Sequence, residues 1–229
     1  MNIGALIFVG LGSIAECSEI DRQAWNAAFR AHGMRWDWSW DAYAELMRPG
    51  GDRQLAARYA AFVGAEVDAE KLDAAHIRSF AARMNGEMPV RNGVAELLRW
   101  AARRKLSLAL VSRAAPAVAH AVLSATARTR AGIEFDAIVT RDHVDRLAPH
   151  PDGVLLAQQQ LGVPPQSCVA IADTPAGAAA ALDAGLATCA FPGLLAEDQV
   201  FPEGVVTLGS MALNDVMAAL GLSAQTAAE

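Results

Sequence analysis

Short apolar runs bounded by turn residues recur along the chain at Ile3–Val9, Leu106–Val111, Ala137–Thr140, Cys168–Ile171 and Leu186–Ala190, with a weaker run at Val205–Leu208. Their length and their Val, Ile, Leu and Ala content predict strands buried on both faces. Helix-period segments accompany them at Gly93–Arg103, Pro116–Ala125, Val154–Leu161 and Ala176–Ala184. Strands alternating with helices predict an α/β fold, a Rossmann-like parallel sheet covered on both sides.

The stretch from Glu16 to Met88 breaks this alternation. Ala24, Ala27, Ala28 and Ala31 fall at helical spacing around Trp25 and Phe29, and further helices are predicted at Asp41–Met47, Arg53–Phe62 and Ala69–Met84. Almost no strand signal interrupts them. The expectation is a discontinuous α/β core, residues 1–15 and 89–229, with a small helical domain inserted at 16–88.

Composition narrows the class. Hydrophobic residues make up 53% of the 229 positions and charged residues 19%. That leaves ample apolar surface for a core and excludes a disordered chain. The net charge of −6 supplies no basic excess to neutralise phosphates, so nucleic acid is not an expected partner. The apolar run Ile3–Val9 is far shorter than a membrane span and lacks the flanks of a signal peptide, which predicts a cytoplasmic protein without a membrane partner. The cysteines Cys17, Cys168 and Cys189 have no paired spacing and read as reduced, buried thiols; the five histidines show no metal-ligand spacing.

In an open parallel sheet a ligand binds at the carboxyl ends of the strands. The residues found there are Val9-Gly10-Leu11-Gly12-Ser13, Ser112-Arg113, the Arg146–Asp152 loop and Ala172-Asp173-Thr174. Gly10-Leu11-Gly12-Ser13-Ile14-Ala15 fits a dinucleotide fingerprint, but that unit needs a second parallel strand ending in an acid within about 30 residues. Here the next region is Trp36-Asp37-Trp38-Ser39-Trp40, where the tryptophans suit a helical core better than Asp37 suits a ribose.

Taken together these strand ends resemble the haloacid dehalogenase superfamily, in its CbbY and β-phosphoglucomutase-like branch with a helical cap. The similarity includes Glu19–Phe29, Val90-Arg91-Asn92-Gly93-Val94, Cys168–Ile171 and Pro175–Gly185. The resemblance implies a phosphatase of small phosphorylated metabolites, with an aspartate nucleophile, an aspartate acid/base, a lysine and an acidic magnesium-holding pair. At those positions this chain has Val9, Leu11, Ala148 and Ala172; Gly12, Ser13, Ser112 and Asp173 match. Neither Val9 nor Leu11 can accept a phosphoryl group or move a proton. The expectation is a protein without the family's catalysis, acting by binding a metabolite, an anion or a protein partner; an active hydrolase with a rewired site is the alternative.

The remaining candidates follow from the same loops. Gly10, Gly12, Ser13 and Ser112 offer N–H and hydroxyl groups to a phosphate, or the glycines simply allow a tight turn. Arg113 suits a bidentate phosphate contact or a solvent-facing position. Asp173 is a lone magnesium carboxylate or the cap of the next helix, with Thr174 and Pro175. No cofactor is expected, and magnesium only alongside residual activity. Glu16 reads as a helix-start carboxylate and His150 as an exposed loop residue; the resemblance implies that residues of the helical cap near a glycine turn such as Pro49-Gly50-Gly51-Asp52 help select the substrate, which makes Arg53 a candidate.

Overall fold

Six parallel strands form one sheet in the order β3-β2-β1-β4-β5-β6. They are β1 (Ala5–Val9), β2 (Ser107–Val111), β3 (Ala137–Val139), β4 (Cys168–Ala172), β5 (Ala187–Ala190) and β6 (Val206–Thr207). The structure, a computed structural model, describes residues 2–48, 54–131 and 134–221. Every strand falls on a predicted apolar run. β1 is buried along its whole length because the sheet is covered on both faces. Its side chains alternate between two cores: Leu6 and Phe8 face one, Ala5, Ile7 and Val9 the other.

Helices α1 (Ser18–Ala31), α2 (Trp40–Met47), α3 (Leu55–Phe62) and α4 (Ala69–Arg83) follow β1 before the chain returns to the sheet. Ser39 and Asp68 start α2 and α4 by accepting from the N–H groups of Ala42 and Lys71. Trp25, Phe29, Trp38, Tyr43, Leu55 and Leu72 make an aromatic core for these helices. Asn26 ties the connecting segment down, its side chain bonding both the N–H and the carbonyl of Trp38 at 2.8 and 2.9 Å. Trp38 is therefore core and Asp37 an exposed partner of Arg30, so the dinucleotide reading has no second strand to stand on. The second half of α4 leaves the aromatic core: Phe80 and Met84 pack with the residues that cover the sheet.

The sheet's faces are completed by α5 (Val94–Arg103), α6 (Pro116–Thr126), α7 (Asp152–Leu161), α8 (Pro175–Asp183) and α9 (Leu213–Ala219). The last, 7 residues long, is too short for the apolar period to predict. Among the described residues no helix is long and apolar enough to cross a membrane.

Candidate functional site

The strand order reverses between β1 and β4, which puts a crevice at their carboxyl ends. The register sets Val9 level with Val111 on one side and Ala172 on the other. The innermost row of the crevice is thus apolar. A cavity of about 200 Å³ opens above it, walled by the strand-end loops below and by α1, α2 and α4 above. Val9, Leu11 and Ala148 all line it, so positions far apart in sequence come together as the resemblance implies.

The turn after β1 differs from a phosphate cradle. Gly10 has φ of 100° and its N–H is committed to the carbonyl of Val111 at 2.8 Å. Asp173 folds its carboxylate back over this turn and accepts from the Gly12 N–H. A Cβ on Gly12 would stand 2.6 Å from Asp173 Oδ2, and one on Gly10 would overlap the same carboxylate. The two glycines therefore make room for an internal anion. This corrects the expectation that Gly10 and Gly12 present free N–H groups to a phosphate. Ser13 is corrected too: it is fully buried and its hydroxyl donates inward to the Gly10 carbonyl at 2.6 Å.

Asp173 is not the cap of α8. Thr174 is, accepting from the Gly177 N–H at 3.2 Å, with Pro175 opening the helix. Burial raises the Asp173 carboxyl from its ordinary 3.8 to about 6, against the opposing pull of the Arg113 guanidinium and the Gly12 N–H. Arg113 and Ser112 remain on the cavity wall, and the Ser112 hydroxyl oxygen accepts from the Ala114 N–H at 3.1 Å. His150 is exposed at the cavity margin.

The donor set does not fit magnesium. Asp173 is turned into the glycine turn, and the Leu11 carbonyl is taken by the N–H groups of Ile14 and Ala15 at 3.0 Å. Glu16, just before the Cys17 N-cap, accepts from the Ser18 N–H at the start of α1 and pins the far loop through the Leu194 N–H at 2.9 Å. Among the described residues no group of three His, Cys, Asp or Glu side chains is placed to hold a metal.

Three features escape the sequence reading. Arg91 reaches under the turn after β1 and donates to the carbonyls of Gly12, Phe191 and Pro192 at 2.7, 3.0 and 2.6 Å, its guanidinium lying over the Phe191 ring. Asp73 and Arg141 form a mostly buried bidentate pair across the cavity wall. On the helical side, Asp21 accepts from Tyr43 at 2.8 Å and faces His76 Nε2 at 2.8 Å. Burial and the Asp21 carboxylate push the Tyr43 hydroxyl up, which keeps it a donor. Cys17, expected to be buried, is half-buried on this wall; burial and Asp21 raise its thiol and keep it neutral. Arg48 pairs with Asp198 at 2.7 Å, while Pro49 to Arg53 lie outside the described residues.

Comparison with known proteins places this geometry. The haloacid dehalogenase-like hydrolase family matches residues 13–185. The chain belongs to that family. CbbY of Rhodobacter capsulatus is 36% identical over 81% of this chain and 84% of its own length. The structure of Rhodobacter sphaeroides CbbY in complex with phosphate superposes with a TM-score of 0.86 at 31% identity, covering 96% of this chain and 100% of that one. A mutant of the same protein in complex with xylulose-(1,5)bisphosphate gives 0.84 at 31% identity, over 92% and 95% of the two chains. These relatives put the chain in the CbbY branch of the haloacid dehalogenase family.

Proposed function

We propose that this CbbY-branch protein binds a small phosphorylated sugar or a similar metabolite in its cavity and does not hydrolyse it by the family's route. The observation that carries this reading is the apolar row Val9, Val111 and Ala172 at the crevice floor, with Asp173 folded away into the glycine turn. Phosphoryl transfer needs a nucleophile beside the phosphorus and cations around the moving charge. Val9 offers no lone pair, and the alanine at 148 no charge. Ser112 and Arg113 on the wall still give the cavity a hydroxyl and a guanidinium that suit an anionic group. The ligands carried by the related CbbY structures, phosphate and a sugar bisphosphate, support the class of metabolite.

A second reading, a hydrolase with rewired chemistry, draws on Asp173. A carboxyl group titrating near 6 at the crevice is poised for acid/base work. One assay separates the two: a panel of sugar phosphates with magnesium, run on the parent and on Asp173→Asn. The binding reading expects no turnover from either. Robust turnover by the parent that disappears in Asp173→Asn would overturn it and establish the rewired hydrolase.

A further inference from the structure

We propose that the Asp173 carboxylate is a built-in competitor of the ligand: it holds the place at the turn after β1 that an incoming anion would take, so a phosphate enters there only when this side chain gives way. The proposal rests on the cavity being a site for an anionic metabolite and adds what regulates its occupation.

The competition follows from where the carboxylate lies. Asp173 is partly exposed and lines the cavity together with Gly10, Gly12, Ser112 and Arg113. A Cβ built on Gly10 would lie 2.0 Å from Oδ1 and 2.3 Å from Oδ2, and one on Gly12 would lie 2.6 Å from Oδ2. The carboxylate thus rests against bare backbone at both glycines, an approach that side chains there would forbid. It accepts from the Gly12 N–H and sits in the field of the Arg113 guanidinium. A backbone donor and a guanidinium are what a phosphate would need at this end of the cavity. Asp173 has taken both.

The main chain fixes where the side chain starts. The Asp173 N–H donates to the Val9 carbonyl and its own carbonyl accepts from the Gly193 N–H, each at 3.1 Å. Release of the carboxylate therefore needs only a turn of its side chain and no movement of the sheet. Nor does α8 depend on it, because Thr174 caps that helix.

The neighbouring charges leave no surplus for a second anion. Glu16, Arg91 and Arg113 act on Asp173 here. Glu16 is engaged by the Ser18 and Leu194 N–H groups, and Arg91 by three backbone carbonyls. The two carboxylates offset the two guanidiniums, so a phosphate entering beside Asp173 meets a like charge at close range. Without the Asp173 charge the same surroundings are net positive.

The test compares inorganic phosphate binding by the parent, Asp173→Asn and Asp173→Ala, all as full chains labelled with nitrogen-15 in metal-free buffer. Asp173→Asn keeps the shape and removes the charge, while Asp173→Ala also frees the Gly12 N–H. Both variants are expected to bind phosphate about tenfold more tightly than the parent at neutral pH, the effect of removing one nearby like charge. Phosphate is expected to move the Gly12 N–H resonance in each protein. The asparagine variant guards against a turn that collapses in the alanine one. Equal or weaker binding by both variants, or binding that leaves the Gly12 resonance in place, would overturn the competition while the metabolite site stands. No phosphate binding by any of the three at tens of millimolar would overturn it together with the anion site it rests on. Hydrolysis of sugar phosphates by the parent would sink the non-catalytic reading and leave the affinity comparison intact, so the failures are distinguishable.

Discussion

Burial and hydrogen bonding pull Asp173 in opposite directions, and burial wins. Its carboxyl is raised from 3.8 to about 6, so the folded state holds a proton that the unfolded chain has already released between those values. The contribution of this group to stability is complete below about pH 4 and is lost as pH rises through 6, about 3 kcal/mol in all. Asp173→Asn should therefore match or exceed the parent in thermal stability at pH 7.5 and fall behind it near pH 4; melting curves across that range check the crossing. The same carboxylate explains the glycines. Gly10→Ala combines a φ of 100° with a clash against Asp173 and should cost about 3 kcal/mol. Asp173→Ala in the same chain should recover about 1 kcal/mol, a coupling that urea unfolding of the double-mutant cycle would reveal.

Between elements, the loops around the crevice are held by side chains that cross from one segment to another. Arg91, in the turn before α5, binds three carbonyls on the turn after β1 and the loop after β5, and burial lowers its guanidinium from the ordinary value without removing its charge. Arg91→Lys loses the planar fork and the contact with the Phe191 ring, and should cost about 2–4 kcal/mol in urea unfolding. A lysine that restored full stability would mean that charge alone matters there. Asn26 does the corresponding work for the helical segment, and Asn26→Ala should cost about 2 kcal/mol by leaving the Trp38 N–H unpaired in the aromatic core, while Arg22 still donates to the Trp38 carbonyl. Neither role is visible in a linear pattern. Arg91 has the same neighbours in sequence as a surface arginine would, and a buried asparagine is spelled like an exposed one.

Over the whole molecule, the family scaffold is kept while the crevice chemistry is altered at several points at once. Restoring Val9→Asp, Leu11→Asp, Ala148→Lys and Ala172→Asp together places new carboxylates in a buried apolar row, which should lower the melting temperature in the absence of metal. Magnesium should raise the melting temperature of that variant and leave the parent's unchanged, because only the variant gains a set of carboxylates that binds it in the folded state. Sugar-phosphate turnover by the variant would then show that the helical wall still selects a ligand. Thermal shift with and without magnesium, beside the phosphatase panel, checks both outcomes.

The order of the strands and of the helices up to α8, the run of helices after β1 and the residues at the strand ends were written in the sequence, because apolar periodicity and turn residues are local signals; α9 was too short to leave such a signal. So were the family and the altered positions Val9, Leu11, Ala148 and Ala172, since each sits beside a recognisable motif. Only the tertiary structure decided that Asp173 fills the turn Gly10–Gly12, that Ser13 faces inward, and that Asp21, His76 and Tyr43 share a wall with Asp73 and Arg141. Those arrangements join residues tens of positions apart. Side-chain direction, burial and the competition for hydrogen bonds depend on what the fold brings next to them.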